Sequence, residues 1–103
     1  MRQFDVYRNP SAISRTAFPF LIVLQHDRVT GTYAIIVAPL VPPFVTAPAS
    51  RLYPIVNVNG REFMMLTPDL ASLPRSLFKQ RTANLDDQRD KIIGALDLLF
   101  AGS

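Results

Sequence analysis

The chain has 103 residues, of which 49% are hydrophobic and 18% are charged, and its formal net charge is +3 at pH 7. These values exclude a disordered polypeptide and predict one domain with a small core, spanning residues 1–103. Because the sequence has no cysteine, it excludes disulfides, zinc–thiolate sites and thiol nucleophiles, which fits an intracellular protein. The longest apolar run, residues 18–24, is too short to span a bilayer, and we identify no signal peptide.

The charge is unevenly distributed along the chain. Residues 1–85 hold nine basic and four acidic side chains, whereas residues 86–103 hold two basic and four acidic ones. A basic body favours an acidic partner, protein or nucleic acid, although a merely solvated basic surface explains the same pattern.

The first half of the chain predicts three strands. Residues 3–7 alternate polar and apolar and predict a half-buried strand. Residues 18–25 predict a second strand, whose start is placed near a sheet edge by Pro19. Residues 33–37 are rich in β-branched side chains and predict a third. Four prolines then predict that residues 38–50 lack regular structure; an apolar surface loop is the favoured interpretation and a flexible linker the alternative.

Asn59-Gly60 predicts a two-residue type I′ hairpin turn, because Asn tolerates positive φ and Gly adopts it freely. This turn places Val56 opposite Phe63 and leaves residues 63–66 apolar on both faces, so their strand is expected to be central. Residues 67–74 predict a short helical turn or an irregular crossing. Three apolar residues in and after this segment are expected to contact the core: Leu73, Leu77 and Phe78.

The last element predicts a helix over residues 86–100. Asp86 is a suitable N-cap, and Ile92 and Leu96 begin an apolar stripe at helical spacing, while Gly102 can terminate the helix. The fold class is therefore mainly β with one C-terminal α-helix: about five strands in a small antiparallel sheet or SH3-like barrel.

Catalytic chemistry is scarce in this sequence. One interpretation is that Asp27 orients His26 as a general base, but a lone histidine in a polar turn is more often a surface residue. Tyr7, Tyr33 and Phe63 could stack on bases, yet core positions are the simpler interpretation. With no phosphate-binding loop or metal-ligand cluster in the sequence, we expect a binding domain without cofactor or metal, not an enzyme.

Several short motifs, in order along nearly the whole chain, resemble the CcdB family of toxins from type II toxin–antitoxin systems. They are Gln3-Phe4-x-Val6-Tyr7, Val37-x-Pro39-Leu40, Leu52-Tyr53-Pro54-x-Val56, Met64-Met65-x-Thr67-x-Asp69-x-Ala71-Ser72-x-Pro74 and Phe100-x-Gly102. The resemblance implies a CcdB-like fold and a cytoplasmic homodimer that binds the A subunit of DNA gyrase and traps the enzyme on cleaved DNA. It also implies a cognate antitoxin with a disordered tail, and neither membrane association nor sequence-specific nucleic-acid binding.

Two sets of contact residues are expected. The gyrase contacts that the resemblance implies are Arg28, Val29, Asp97, Phe100, Ala101, Gly102 and Ser103. The expected antitoxin contacts rest on charge and apolar surface instead, because an acidic disordered peptide would be attracted to basic and apolar side chains: Arg8, Arg15, Phe44 and Arg51. The family has Trp and Ile where this chain has Ala101 and Ser103, Asn at Asp97 and an apolar residue at Arg28. Two alternatives therefore stay open: a homologue that keeps the dimer and the antitoxin site but has another target or none, and a ribonuclease toxin of related fold.

Overall fold

A computed structural model describes residues 1–44 and 48–103. Within these ranges the chain forms seven strands, one α-helix and two short 3-10 turns. The strands are β1 (Asp5–Arg8), β2 (Phe20–Val23), β3 (Ala34–Val41), β4 (Ile55–Val58), β5 (Arg61–Met65), β6 (Ala71–Pro74) and β7 (Arg81–Asn84). The helix is α1 (Arg89–Ala101), and the 3-10 turns are Arg75–Leu77 and Asp86–Gln88.

The strands form one antiparallel sheet in the order β4-β5-β3-β2-β1-β7, with β6 pairing to β3. The sheet curls into a half-barrel, and α1 follows it at the end of the chain. The predicted fold class, mainly β with one C-terminal helix, is confirmed. The predicted number of strands was too low, because β6 and β7 were not recognised.

The Asn59-Gly60 hairpin is confirmed in every detail of its register. Asn59 and Gly60 have φ values of 51° and 89°, and Val56 pairs with Phe63 as expected. Strand β5 lies between β4 and β3, and its three apolar residues, Phe63, Met64 and Met65, are all buried. Local turn chemistry was sufficient to fix this part of the sheet.

Strand β3 continues through Pro39 to Val41, so the prediction that residues 38–50 lack regular structure was wrong at its start. On one side β3 pairs with β6 through residues 34–37 and with β5 at Leu40 and Val41. Pro39 lies after the residues that pair with β6 and before those that pair with β5, so its missing N–H breaks no hydrogen bond to either strand. Its carbonyl oxygen accepts a hydrogen bond from Leu66 N at 3.0 Å. Val45, an apolar residue of the predicted surface loop, lies outside the residues that the structure describes.

The region after the hairpin is more extended than its sequence indicated. Residues 71–74 form β6 instead of a helical turn, and residues 81–84 form β7 beside β1. Phe78 is buried and Leu73 packs beside it, but Leu77 is 45% exposed and does not contact the core as predicted. Both strands are held by partners distant in sequence, which the local pattern does not reveal.

The α-helix begins later than predicted. Asp86 is not its N-cap: a 3-10 turn occupies Asp86–Gln88, and neither this turn nor α1 has a side-chain cap hydrogen bond. The Asp86 carboxylate instead pairs with Arg89 at 3.1 Å. The helix ends as predicted at Gly102, which has a φ of 76° and donates its N–H to Leu98 O at 3.1 Å.

The buried residues form two clusters, one on each face of the sheet. The larger cluster packs Val6, Ile22 and other strand residues against Ile92 and Ala95 of α1. The smaller cluster contains Tyr7, Leu21, Val23, Ile35, Val37 and Phe78. Because both faces of β1 are covered, β1 is not the half-buried strand that its alternation predicted. Even Asp5 is buried, and it accepts hydrogen bonds from Arg2 N and Asn84 Nδ2.

Helix α1 runs along the edge strand β4. The side-chain amide of Gln88 accepts from Asn57 N and donates to Asn57 O, both at 2.8 Å. One turn further, Lys91 Nζ donates to Ile55 O at 3.0 Å. These contacts occupy the outward polar groups that an edge strand otherwise offers to another chain. They also orient the helix antiparallel to β4, so that its end points away from the hairpin turn.

Candidate functional site

An apolar groove lies beside the end of α1, and we call it the helix-end groove. Its volume is about 370 Å³, and it is lined by Leu24, Gln25, His26, Val29, Ile36, Leu70, Leu96 and Phe100. Phe100 is 72% exposed and Val29 is 50% exposed. The fold therefore brings Val29, from the loop after β2, and Phe100, from the last turn of α1, to one surface.

The tail, defined as Ala101, Gly102 and Ser103, continues from this groove with its residues exposed. Asp97 is also exposed and forms no ion pair with any residue in the described ranges. Arg28 is exposed, and its main-chain N–H donates to His26 Nδ1 at 3.0 Å. The residues predicted to contact a target thus occur near the end of α1 and in the loop after β2.

A second depression, the basic groove, has a volume of about 400 Å³. Its charged lining residues are all cations: Arg8, Arg15, Lys79 and Arg81. Arg15 Nε donates to Asn9 O at 2.8 Å, and Arg81 lies 3.6 Å from the buried carboxylate of Asp5. Among the described residues, the side chains of Arg8 and Lys79 make no ion pair and no hydrogen bond to another residue. Their charges are therefore available to an anionic ligand.

Tyr7 lies at the base of the basic groove and packs against Phe78 at a ring-centroid distance of 5.4 Å. Burial, and secondarily the charge of Asp5, raises the pKa of Tyr7. A tyrosine hydroxyl is already protonated at neutral pH at its ordinary pKa of about 10, so this group can donate a hydrogen bond, like the cations around it. A groove with this lining is suited to an acceptor-rich, negatively charged ligand.

The two other predicted antitoxin contacts lie elsewhere. Phe44 is 49% exposed, directly before the residues that the structure does not describe. Arg51 lies beside α1, where its guanidinium donates to the main-chain oxygen of Ser103. Arg8 and Arg15 therefore share one groove, whereas Arg51 contacts the tail.

A family model described as CcdB protein matches residues 3–102. The chain belongs to the CcdB family. Its members are, in general, toxins of toxin–antitoxin systems and inhibitors of DNA gyrase. They act as gyrase poisons rather than as enzymes.

The possible acid–base pair of this CcdB-family chain is not assembled in the structure. His26 Nδ1 accepts from the main chain of Arg28, while Asp27 Oδ1 accepts from Gln3 N at 2.7 Å. Among residues 1–44 and 48–103, no group of three or more His, Cys, Asp or Glu side chains is arranged to hold a metal ion. No helix in the same ranges is long and apolar enough to cross a membrane.

Sequence reasoning missed two residues of the basic groove in this CcdB-family fold. Lys79 and Arg81 lie close to Arg75 in a basic stretch of the sequence, which by itself did not assign them to a binding surface. They join Arg8 because β7 pairs with β1, with Tyr7 opposite Arg81. The only signal available beforehand was the local excess of basic residues. Tyr33 was also misjudged, because it is 79% exposed and does not belong to the core.

Proposed function

We propose that this chain is the toxin of a type II toxin–antitoxin system that binds the A subunit of DNA gyrase non-covalently and traps the enzyme on cleaved DNA. The observation that carries the proposal is the convergence of Val29 and Phe100 on the helix-end groove. An exposed aromatic residue surrounded by apolar side chains is a suitable anchor for a protein partner. We further propose that residues 1–103 act as one domain in the cytoplasm.

The same surface supports a homodimer. Phe100, Val29 and Ile36 are all exposed, although each is apolar. A two-fold copy of the chain packed beside the helix-end groove would cover part of this surface and bring two tails close to the symmetry axis. A dimeric mass at micromolar concentration in light scattering would support this assembly, and a monomeric mass would contradict it.

The antitoxin is proposed to bind through an acidic, disordered tail. The basic groove supports this because it combines four cations with no exposed carboxylate in its lining. Long-range attraction of this kind accelerates encounter and depends on ionic strength. Phe44, which is exposed, would provide a further contact to a tail that folds on binding.

A second candidate is a homologue that keeps the dimer and the antitoxin surface but acts on another target. The observation in its favour is the replacement of the family's Trp and Ile by Ala101 and Ser103. Both side chains are exposed on the tail, where a partner would contact them directly. On this basis we expect the wild-type chain to be a weak gyrase poison.

The deciding experiment is a gyrase supercoiling assay together with detection of cleaved DNA complexes. Phe100→Ala should raise the half-inhibitory concentration, because it removes the exposed aromatic anchor. Tyr33→Ala is the matched control, since it removes an equally exposed aromatic residue that does not line the helix-end groove. No inhibition by the wild type at any concentration would refute gyrase as the target, whereas an equal loss of inhibition in both variants would refute the helix-end groove as the contact surface.

A further inference from the structure

Arg51 links the loop before β4 to the tail. Its Nη2 group donates to the main-chain oxygen of Ser103, across a sequence separation of 52 residues. The bond involves the main chain of Ser103 and not its hydroxyl, so it constrains the path of the tail whatever side chain is present there.

The side chain of Arg51 reaches the tail by crossing α1 at Gly94. A Cβ atom at Gly94 would lie 4.0 Å from Arg51 Nε, which is an ordinary van der Waals distance. Gly94 therefore leaves an open path over the helix, and Arg51 occupies it.

Two backbone contacts hold the tail among the described residues. Gly102 donates its N–H to Leu98 O, and Ser103 accepts from Arg51. The tail is nevertheless exposed, as is Phe100 before it. Its main chain is thus tethered, while its residues remain accessible to a partner.

We propose that Arg51 is a positioning residue for target binding, which fixes the main chain of the tail so that residues 100–103 are presented in one orientation. This inference rests on the proposed function, in which the tail contacts the target. A tail that is ordered before binding avoids part of the conformational entropy that a free segment loses on association. The sequence led us to expect that Arg51 contacts the antitoxin, whereas its contact with Ser103 assigns it to positioning the tail.

The test compares Arg51→Met and Arg51→Lys with the wild type, and Arg61→Met is the control. Arg61 is another exposed arginine, and it directly follows the Asn59-Gly60 turn. This turn lies toward the start of α1, whereas the tail follows the end of the helix, so Arg61 is far from the tail along α1. The first readout is the heteronuclear ¹⁵N NOE of the Gly102 and Ser103 amides, and the second is the half-inhibitory concentration for gyrase. Thermal melting of each variant monitors the fold.

Arg51→Met should lower both NOE values and raise the half-inhibitory concentration about tenfold, with an unchanged melting temperature. Arg51→Lys should restore part of the NOE and of the inhibition, because it keeps a cationic donor, and Arg61→Met should match the wild type. Unchanged NOE values in Arg51→Met would overturn the inference. If the wild type does not inhibit gyrase, the proposed target is wrong, whereas the NOE comparison still decides whether Arg51 orders the tail.

Discussion

The double substitution Ala101→Trp, Ser103→Ile is predicted to increase gyrase affinity. It introduces an aromatic and an aliphatic side chain at two exposed positions next to Phe100. Arg51 holds Ser103 through its main-chain oxygen, so the new side chain at 103 leaves this contact intact. The change therefore enlarges the apolar contact surface without altering how the tail is held.

The expected gain in gyrase affinity is that of ordinary interface side chains, because both substituted positions are exposed and accessible to a partner. An aromatic anchor near the centre of an interface contributes about 2 kcal/mol or more, which corresponds to roughly a 30-fold change in dissociation constant for each tail. The isoleucine adds apolar area at about 25 cal/mol per Å² buried. Neither residue is buried in the free chain, so the free energy of unfolding should change by less than about 0.5 kcal/mol.

The assay is a titration of gyrase supercoiling with the wild type and the double variant, together with binding to the isolated A subunit. Tyr33→Trp is the control, because it introduces tryptophan at an exposed position outside the helix-end groove. The reasoning is refuted if the double variant gains no affinity, or if the wild type already poisons gyrase at nanomolar concentrations. In the latter case Arg28, Val29 and Asp97 would have to provide the binding energy.

Three further predictions concern stability and the antitoxin. Gly60→Val should lower the free energy of unfolding by at least about 1 kcal/mol, because Gly60 has a φ of 89°, and an unchanged melting temperature would contradict this. Gln88→Ala should cost about 1–2 kcal/mol by removing both hydrogen bonds to Asn57, whereas the exposed Gln80→Ala should cost almost nothing in the same denaturation measurement. Lys79→Met should slow association with the antitoxin at low salt and reduce its salt dependence while leaving gyrase inhibition unchanged; an association rate equal to that of the wild type would count against the basic groove.

The parts of the fold that sequence predicted correctly depend on local chemistry. The Asn59-Gly60 turn fixes its own hairpin, because both residues accept positive φ and the register then follows. Gly102 ends the helix for the same kind of reason. Phe4 shows the limit of local rules: it is fully buried with a φ of 69°, a value unusual for a bulky residue. Nothing in the sequence around it indicates this conformation.

The parts that sequence did not predict depend on long-range pairing. Strands β6 and β7 have weak patterns, and they exist because β3 and β1 offer them partners. The basic groove and the contact between Arg51 and the tail have the same origin, since each joins segments distant in the chain. The resemblance to a family pointed to residues in the loop after β2 and at the helix end, but it could not show which of them share a surface.

Helix α1 links the stability of the fold to the presentation of the candidate site. At its start, Gln88 and Lys91 bind the edge of β4, and in its middle Ile92 and Ala95 complete the larger cluster. Its last turn, with the exposed Phe100, lies beside the helix-end groove. A substitution in the first half of the helix should therefore reduce target binding only through loss of folded protein. One in the tail should reduce binding at constant melting temperature, so measuring both quantities separates the two causes.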